Sequence, residues 1–293
     1  MRTASLALIL VLAALLSGCG GGDGPFVVAV PDSEEGEVLA ALYVELLEGN
    51  GIEAETGARL GSTRALLAAV VEGRANAYPE FSGTGLDALA GPGSATPDVA
   101  ETASALRREV EARGAQVFDP SLATRPLALV TTYDTWDRTG VYDVSGLAGL
   151  DEEVTLAVPP GCASAPGCLP GLEEVYALGP AEAIEIGPVA ERLSALRRGE
   201  VLAAVVPATA GELSGTLDVV LVDDRQQQPA QNLIPVVRDE DDDRREEAYR
   251  AFDRLTEELA TPDLRELHRR VADGEDADDV ARDLLADKGL VEG

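Results

Sequence analysis

Residues 61–85 read GSTRALLAAVVEGRANAYPEFSGTG, and they carry the strongest fold signal in the chain. The first three residues can end a strand and offer backbone N–H groups and hydroxyls at a helix start. Apolar residues then follow at helical spacing, which buries one face of that helix on a sheet. A second turn, from Pro79 to Gly85, follows a short strand and places Tyr78 and Phe81 near its carboxyl end. Because ligands bind in crevices at the carboxyl ends of strands in open α/β sheets, we predict an α/β fold with a ligand site here.

The first 25 residues have the layout of an export signal followed by a tether. Residues 1–2 are a short positive start, and residues 4–16 are an apolar run too short to span a bilayer. The tetrad Leu16-Ser17-Gly18-Cys19 resembles the bacterial lipobox, which implies that Cys19 becomes the lipid-modified first residue of the mature protein. We therefore predict a signal peptide at 1–18, and a lipidated cysteine with a glycine-rich tether at 19–25. A plain secretory signal with a chance cysteine is the alternative.

The rest of the chain shows no membrane-spanning pattern. No later segment approaches the roughly 18 apolar residues that a transmembrane helix needs. We therefore expect an extracytoplasmic protein, soluble in its mature form and lipid-anchored to the outer face of the cytoplasmic membrane.

Two cysteines remain after Cys19, and both lie in a loop rich in proline and glycine: Cys162 and Cys168. Two cysteines in an exported chain tend to pair in an oxidising compartment, so we predict a disulfide that closes a small loop. A zinc site needs more ligands, and the one histidine, His268, lies in a distant helical stretch. We predict no metal site and no cofactor.

The composition is strongly acidic. Asp and Glu number 53 against 23 Lys and Arg, which gives a formal net charge of −30. Such a charge makes nucleic acid and anionic lipid poor partners. It attracts a cationic or zwitterionic solute, although salt screens the field beyond about 10 Å. The alternative is that the charge keeps the protein soluble or adapts it to a salty environment. The acidic residues of 239–258 favour this alternative.

Strand-like and helix-like segments alternate along the chain, which indicates a mostly parallel sheet covered by helices. A first series has a strand at 26–30, a helix at 34–47 and a strand at 52–55. A second series begins at 127–132, and residues 233–238 look like a return strand before three C-terminal helices. Two such series favour two domains over one.

These segments resemble the substrate-binding proteins of osmoprotectant ABC importers, the glycine betaine, carnitine and choline binding family. Residues 61–85 look like the family's Gly-x-Thr…Tyr-Pro-Glu-Tyr-(Thr/Ser)-Gly-Thr segment, and the resemblance extends over nearly the whole mature chain. It implies a type II periplasmic-binding-protein fold of class α/β. Lobe 1 would hold residues 26–126 plus 228–293, lobe 2 would hold 127–227, and two crossing segments would form the hinge. Hinge closure would trap a ligand in the cleft.

The resemblance also implies how a ligand is held. A trimethylammonium group cannot donate a conventional hydrogen bond, so aromatic rings bind it by cation–π attraction of about 0.5 to 2 kcal/mol each. Family members use several tyrosines, and often an arginine for the carboxylate of betaine-like ligands. We predict six ligand-binding residues in this chain: Thr63, Tyr78, Phe81, Thr84, Tyr176 and Thr209.

Structural roles stand beside these ligand-binding roles. Tyr78 and Phe81 can each instead pack in the core, Tyr78 at a strand end, and the spacing of Tyr176 with its apolar neighbours favours core packing. Arg125 lies beside the predicted hinge, where it either binds a ligand carboxylate or forms a hinge ion pair; its many acidic neighbours favour the ion pair.

Three family positions carry unexpected side chains. Leu127 and Pro207 stand where the family commonly has tyrosines, and Ala165 begins the segment that replaces its Arg-x-Asp-Gly-Leu element. The sequence therefore supports the fold and the transport role and leaves the identity of the ligand open.

The function expected from the resemblance is that of an extracytoplasmic solute-binding protein. It would deliver a quaternary-amine compatible solute, such as glycine betaine or choline, to an ABC permease and ATPase. A different small ligand on the same fold, or a lipoprotein that scaffolds or senses without transport, stays open. An enzyme is not expected, because no Gly-x-Ser-x-Gly elbow, Walker loop or dinucleotide fingerprint is present and a catalytic triad would have to recruit His268.

Overall fold

The computed structural model describes residues 24–179, 182–213, 215–239 and 245–292. The predicted signal peptide, Cys19 and most of the tether lie outside these residues. Within the described ranges, no helix is both long and apolar enough to cross a membrane.

Strands and helices alternate along the described chain, as the sequence predicts. The strands are β1 (Phe26–Pro31), β2 (Ala54–Leu60), β3 (Ala77–Phe81), β4 (Ala115–Val117), β5 (Leu127–Thr132), β6 (Thr155–Val158), β7 (Glu182–Glu185), β8 (Ala203–Pro207), β9 (Asp218–Val220) and β10 (Leu233–Arg238). The helices are α1 (Glu34–Gly49), α2 (Thr63–Val71), α3 (Ser82–Ala90), α4 (Val99–Glu111), α5 (Tyr133–Thr139), α6 (Val144–Ala148), α7 (Leu169–Tyr176), α8 (Val189–Arg197), α9 (Arg245–Glu258), α10 (Thr261–Ala272) and α11 (Ala277–Asp287).

The first sheet has the strand order β2-β1-β3-β10-β4. Strand β1 is parallel to β2 and β3, whereas β10 is antiparallel to β3 and β4. The carboxyl ends of β1, β2 and β3 therefore meet at one edge. Buried apolar side chains from α1 and α9 to α11 cover one face of this sheet, and those from α2 to α4 cover the other.

The second sheet has the order β7-β6-β8-β5-β9. All its strands lie between residues 127 and 220, and all strands of the first sheet lie outside that interval. The predicted α/β architecture is confirmed, and the residue boundaries of the lobes stay predictions. We keep the names lobe 1 and lobe 2 for the parts built on the first and second sheets. In the loop between β6 and α7, a disulfide joins Cys162 and Cys168, whose Cα atoms are 5.3 Å apart.

Serine side chains start two helices at the common strand edge of lobe 1. Ser33 Oγ accepts a hydrogen bond from the Gly36 N–H at 2.9 Å, and Ser62 Oγ accepts one from the Ala65 N–H at 3.3 Å. These caps satisfy N–H groups that have no partner within the helix. Acidic residues in the first turn of α1, including Glu35, add a favourable interaction with the helix dipole.

Two chain segments cross between the lobes side by side. Thr124 forms an antiparallel bridge with Asn232, and the Arg125 N–H donates to the Gln231 carbonyl at 2.9 Å. The crossings are thus bonded to each other and form one two-stranded connection.

A loop of lobe 2 also contacts α10 of lobe 1. Arg265 Nη2 donates to the Ala208 carbonyl at 2.8 Å, and His268 Nδ1 lies 2.9 Å from the Thr209 carbonyl oxygen. A Cβ atom on Gly211 would collide with the backbone of Arg269. Glycine is therefore required for this close approach, which is a second place where the lobes are held together.

Candidate functional site

A cavity of about 200 Å³ lies at the edge where β1, β2 and β3 end. The loops after these strands line it, and the first crossing segment contributes Arg125. We call this cavity the cleft site, and its polar and aromatic lining includes Glu35, Thr63, Glu80, Phe81, Thr84 and Arg125.

Arg125 lies on the face of the Phe81 ring in the cleft site. The guanidinium carbon is 4.2 Å from the ring centroid, which is within the range of cation–π attraction. Arg125 Nη1 also donates to Glu35 Oε2 at 2.7 Å. Arg125 Nε has no hydrogen-bond partner among the described residues. The cleft site thus combines an aromatic face, a carboxylate and a guanidinium with a free donor.

Glu35 connects the two lobes at this point. Its Oε1 atom accepts a hydrogen bond from Thr209 Oγ1 of lobe 2 at 3.1 Å. The same oxygen lies 3.9 Å from Nε2 of His268. Thr209, a predicted ligand-binding residue, is therefore linked through Glu35 to Arg125.

A second cavity, of about 640 Å³, opens between the lobes beside Glu35. Its lining includes four carboxylates: Glu34, Glu35, Glu37 and Glu212. Their charge favours a cationic group at this position. Within the described ranges, no group of three or more His, Cys, Asp or Glu is placed to hold a metal ion.

Glu80 is a buried carboxyl that anchors Thr63. Glu80 Oε2 accepts from Thr63 Oγ1 at 2.7 Å, and Oε1 accepts from the Phe81 N–H at 2.8 Å. Burial raises the pKa of Glu80 to about 7, although both hydrogen bonds and the nearby Arg125 charge lower it. The Thr63 hydroxyl thus lies at the cleft site, where it donates its proton in a hydrogen bond to Glu80.

Thr84 is held by a residue of the second crossing segment. Both its backbone N–H and its hydroxyl lie 3.1 Å from Gln231 Oε1.

Sequence reasoning missed Gln231, Glu35 and Glu80 as site residues. The two glutamates could have been found from the sequence, because both lie inside motifs that match the family. Gln231 could have been found as a polar residue beside the predicted return strand.

Two predicted ligand-binding residues lie elsewhere. Tyr78 is fully buried among apolar side chains of α2, α3 and α4, and its hydroxyl has no partner in the described part of the chain. Burial, followed by the Glu80 charge, raises the pKa of Tyr78 well above its usual value. Tyr176 lines a different cavity, and its hydroxyl donates to Asp223. The structure brings Thr63, Phe81 and Thr84 to the cleft site and leaves Tyr78 and Tyr176 outside it. Thr209 lines the neighbouring second cavity and reaches the cleft site only through its bond to Glu35.

Aliphatic side chains occupy the positions where rings are expected. Leu127 and Pro207 are direct partners in the antiparallel pairing of β5 with β8. Ala165 lies in the disulfide loop and packs on the apolar core of lobe 2. Lobe 2 therefore presents no ring and no arginine from these three positions.

The two sheets, the double crossing and the cleft between them define a two-lobed solute-binding protein. The chain belongs to the family described as the substrate-binding domain of ABC-type glycine betaine transport systems, whose model matches residues 24–287. This is a family of binding proteins and not of enzymes.

Individual relatives agree with this assignment. A glycine-betaine-binding protein from Pseudomonas aeruginosa is 27% identical over 275 residues, which cover 88% of this chain and 86% of the relative. Apo YehZ from Escherichia coli superimposes with a TM-score of 0.79 at 21% identity, over 92% of this chain and 100% of YehZ. A crystal structure of a glycine betaine/carnitine/choline ABC transporter gives a TM-score of 0.81 at 19% identity, over 90% and 98% of the two chains. These superpositions confirm the predicted periplasmic-binding-protein fold.

Proposed function

We propose that this protein is an extracytoplasmic lipoprotein that binds a quaternary-amine compatible solute, such as glycine betaine or choline, and delivers it to an ABC permease and ATPase. Membership of the family supports the transport role. The lipid anchor rests on the sequence around Cys19.

The observation that carries the ligand class is the pairing of Arg125 with Phe81. A guanidinium 4.2 Å from the ring centroid indicates that this ring presents its face to a cation. A trimethylammonium group needs the same kind of face, because it has no N–H to donate. The nearby Glu35 carboxylate adds electrostatic attraction for either cation.

Arg125 supports a zwitterionic ligand over a purely cationic one. An ammonium group can use the Phe81 face only when the guanidinium turns away from it. A ligand carboxylate would hold the displaced guanidinium, and Arg125 Nε is a donor without a partner in the described chain. Glycine betaine has such a carboxylate and choline does not, so we place glycine betaine first.

The aliphatic residues at 127 and 207 imply weak binding. Each missing ring forfeits about 0.5 to 2 kcal/mol of cation–π attraction, so two forfeit about 1 to 4 kcal/mol. That loss corresponds to a roughly five- to several-hundred-fold weaker affinity than a complete cage provides.

Isothermal titration of the full chain tests the proposal. The panel is glycine betaine, choline, carnitine and proline betaine, with amino acids as comparison ligands. We expect heat from the quaternary amines, with glycine betaine bound most tightly, and no turnover of any ligand. If none of the four binds at millimolar concentration, the ligand class is rejected and only the transport fold stands.

A different small ligand on the same fold is the second candidate. The observation in its favour is that Leu127 and Pro207 give lobe 2 an aliphatic surface where aromatic rings are expected. Tight binding of an amino acid with an aliphatic side chain, together with no binding of the quaternary amines, would support this candidate.

A further inference from the structure

His268 is the only histidine in the chain, and it does not line the cleft site. It lies on α10 of lobe 1, and its side chain is 14% exposed. Histidine is the side chain whose charge changes most readily between about pH 5 and pH 8. A largely buried histidine at the place where α10 meets lobe 2 can therefore make the contact between the lobes sensitive to pH.

The hydrogen bond from His268 to lobe 2 fixes the position of one ring proton. Nδ1 lies 2.9 Å from the Thr209 carbonyl oxygen. Because a carbonyl oxygen can only accept, Nδ1 carries a proton in this contact. In the neutral ring, Nε2 then has a lone pair and no proton. The bond to Thr209 is thus compatible with a neutral and with a charged ring, and Nε2 is the atom that gains or loses the proton.

Nε2 faces a carboxylate and has no hydrogen bond of its own. It is buried, and it has no hydrogen-bond partner among the described residues. Oε1 of Glu35 lies 3.9 Å from it. While the ring is neutral, two atoms with lone pairs face each other there, and neither can donate. A proton on Nε2 turns this arrangement into an ion pair between the imidazolium and the carboxylate.

The other charged groups around the ring are carboxylates and two bonded arginines. The second cavity, which His268 lines, has carboxylates from α1 and from the loop after β8: Glu34, Glu35, Glu37 and Glu212. Among the described residues, α8 and α11 contribute one uncharged residue each to this lining, Val189 and Ala277. The arginines are Arg125, which donates to Glu35, and Arg265 of α10, which donates to the Ala208 carbonyl. A positive charge on the ring is therefore surrounded mainly by negative charge.

Thr209 makes this protonation matter for the lobes. Its carbonyl accepts from His268, and its hydroxyl donates to Glu35 Oε1 at 3.1 Å. A hydrogen bond from a charged ring is about twice as strong as one from a neutral ring. The ion pair also holds Glu35 at the position from which it accepts from Thr209. Both effects of the proton strengthen the contact of the lobe 2 loop with lobe 1.

We propose that His268 is a proton-dependent contact between the lobes. Uptake of one proton from solvent at Nε2 pairs the ring with Glu35 and strengthens its bond to Thr209, so that the lobes are held together more tightly at acid pH. The proposal concerns the chain without ligand. It therefore stands or falls separately from the ligand class proposed for the cleft site.

NMR spectroscopy tests the pairing with Glu35. In the full chain, prepared without a histidine tag, the imidazole C–H resonances report on His268 alone. Glu35→Gln should move the midpoint of their pH titration down by at least about half a pH unit, because a carboxylate at 3.9 Å attracts the charged ring at least that strongly. Glu34→Gln removes an exposed carboxylate from the same cavity and should have less than half this effect. An unchanged midpoint in Glu35→Gln, or equal shifts in both variants, overturns the proposal.

Solution scattering without ligand tests the effect on the lobes. The wild type should have a smaller radius of gyration at about pH 5.5 than at about pH 8, a range in which histidine changes its charge. His268→Asn keeps an N–H donor for the Thr209 carbonyl and has no second ring nitrogen to protonate, so its radius should be the same at both pH values. Glu80 also titrates in this range, and it is present in both proteins. A wild-type radius that does not change with pH, or the same change in His268→Asn, contradicts the proposal.

Discussion

At the scale of single residues, Arg125 controls access to the only aromatic face found in the cleft site among the described residues. A side chain of the protein itself holds the position that a ligand cation would take. Binding of an ammonium group there is therefore an exchange of one cation for another. Glu35 stabilises the Arg125 guanidinium on the ring through a hydrogen bond. A ligand that displaces the guanidinium must replace the free energy of that bond.

Arg125→Gln should change ligand preference. Choline should bind about two- to thirtyfold more tightly, because it no longer displaces a cation worth about 0.5 to 2 kcal/mol on the ring. Glycine betaine should gain less, since its carboxylate loses a donor. Calorimetry on both ligands measures the change, with Arg138→Gln, an exposed arginine of lobe 2, as the control. Unchanged or weaker choline binding by Arg125→Gln would contradict the exchange.

Glu80 makes stability depend on pH. Its pKa is about 7 in the folded chain against an ordinary value of 4.5. Because the folded-state pKa is raised, the contribution to stability is complete below about pH 4.5 and is lost as pH rises to about 7. The full shift corresponds to about 3 kcal/mol.

Glu80→Gln keeps a neutral side chain at every pH and should remove this loss. The free energy of unfolding of the variant minus that of the wild type should be about 2 kcal/mol larger at pH 8 than at pH 5, so that the variant is relatively more stable at pH 8. Urea unfolding at both pH values measures it, and Glu48→Gln, an exposed glutamate of α1, is the control. A difference that does not vary with pH would show that burial does not hold the proton on Glu80.

At the scale of elements, strand geometry explains why only one of Tyr78 and Phe81 lies at the cleft site. Side chains alternate between the two faces of a strand, so residues three apart point to opposite sides. Both lie in one motif, and the motif alone does not say which of them faces the cleft. In β3, Phe81 is at the carboxyl end beside Arg125, whereas Tyr78 points into the core under α2 to α4.

Strand β2 shows why some elements escape sequence analysis. The predicted strand at 52–55 runs from Ala54 to Leu60 in the structure. It lies at the sheet edge, and only Ala54 is buried, so it lacks an alternating apolar pattern. Gly57 helps it to pack, since a Cβ there would lie 2.7 Å from Val27 Cγ1.

Gly211→Ala should weaken the contact between the lobe 2 loop and α10. The added methyl group would collide with the backbone of Arg269, so either the loop or the helix must shift. We expect a loss of about 1 to 3 kcal/mol in the free energy of unfolding. Small-angle scattering should show a larger radius of gyration. Gly187→Ala, where a Cβ meets nothing within 4 Å, is the control. Wild-type values in both measurements would mean that this contact does not hold the lobes.

At the scale of the whole molecule, the family resemblance supplies what periodicity cannot. Strand β10 pairs with β3 although about 150 residues separate them in sequence. No local pattern predicts such a pairing, because propensity and periodicity describe only neighbouring residues. The matched motifs assign residues 228–293 to the first lobe, and β10 lies in the first sheet. They do not reveal that Arg125, Glu35 and Thr209 meet where the lobes join, since this depends on side-chain contacts between distant segments.

The network at the lobe junction links the proposed ligand site to both lobes. Arg125 lies in a crossing segment, Glu35 in lobe 1 and Thr209 in lobe 2. A ligand that takes over bonds of Arg125 or Glu35 changes contacts on both lobes at once. Hinge closure in two-lobed binding proteins requires differential contacts of this kind.

In the proposed site, a quaternary amine is held on the Phe81 ring. Phe81→Leu keeps the apolar volume and removes the aromatic face, and Phe118→Leu makes the same change in a buried ring of lobe 1 that does not line the cleft site. Calorimetric titration with glycine betaine measures the effect on both variants. We predict that Phe81→Leu weakens glycine betaine binding by about two- to thirtyfold and that Phe118→Leu keeps the wild-type affinity. Wild-type affinity in Phe81→Leu would contradict the claim.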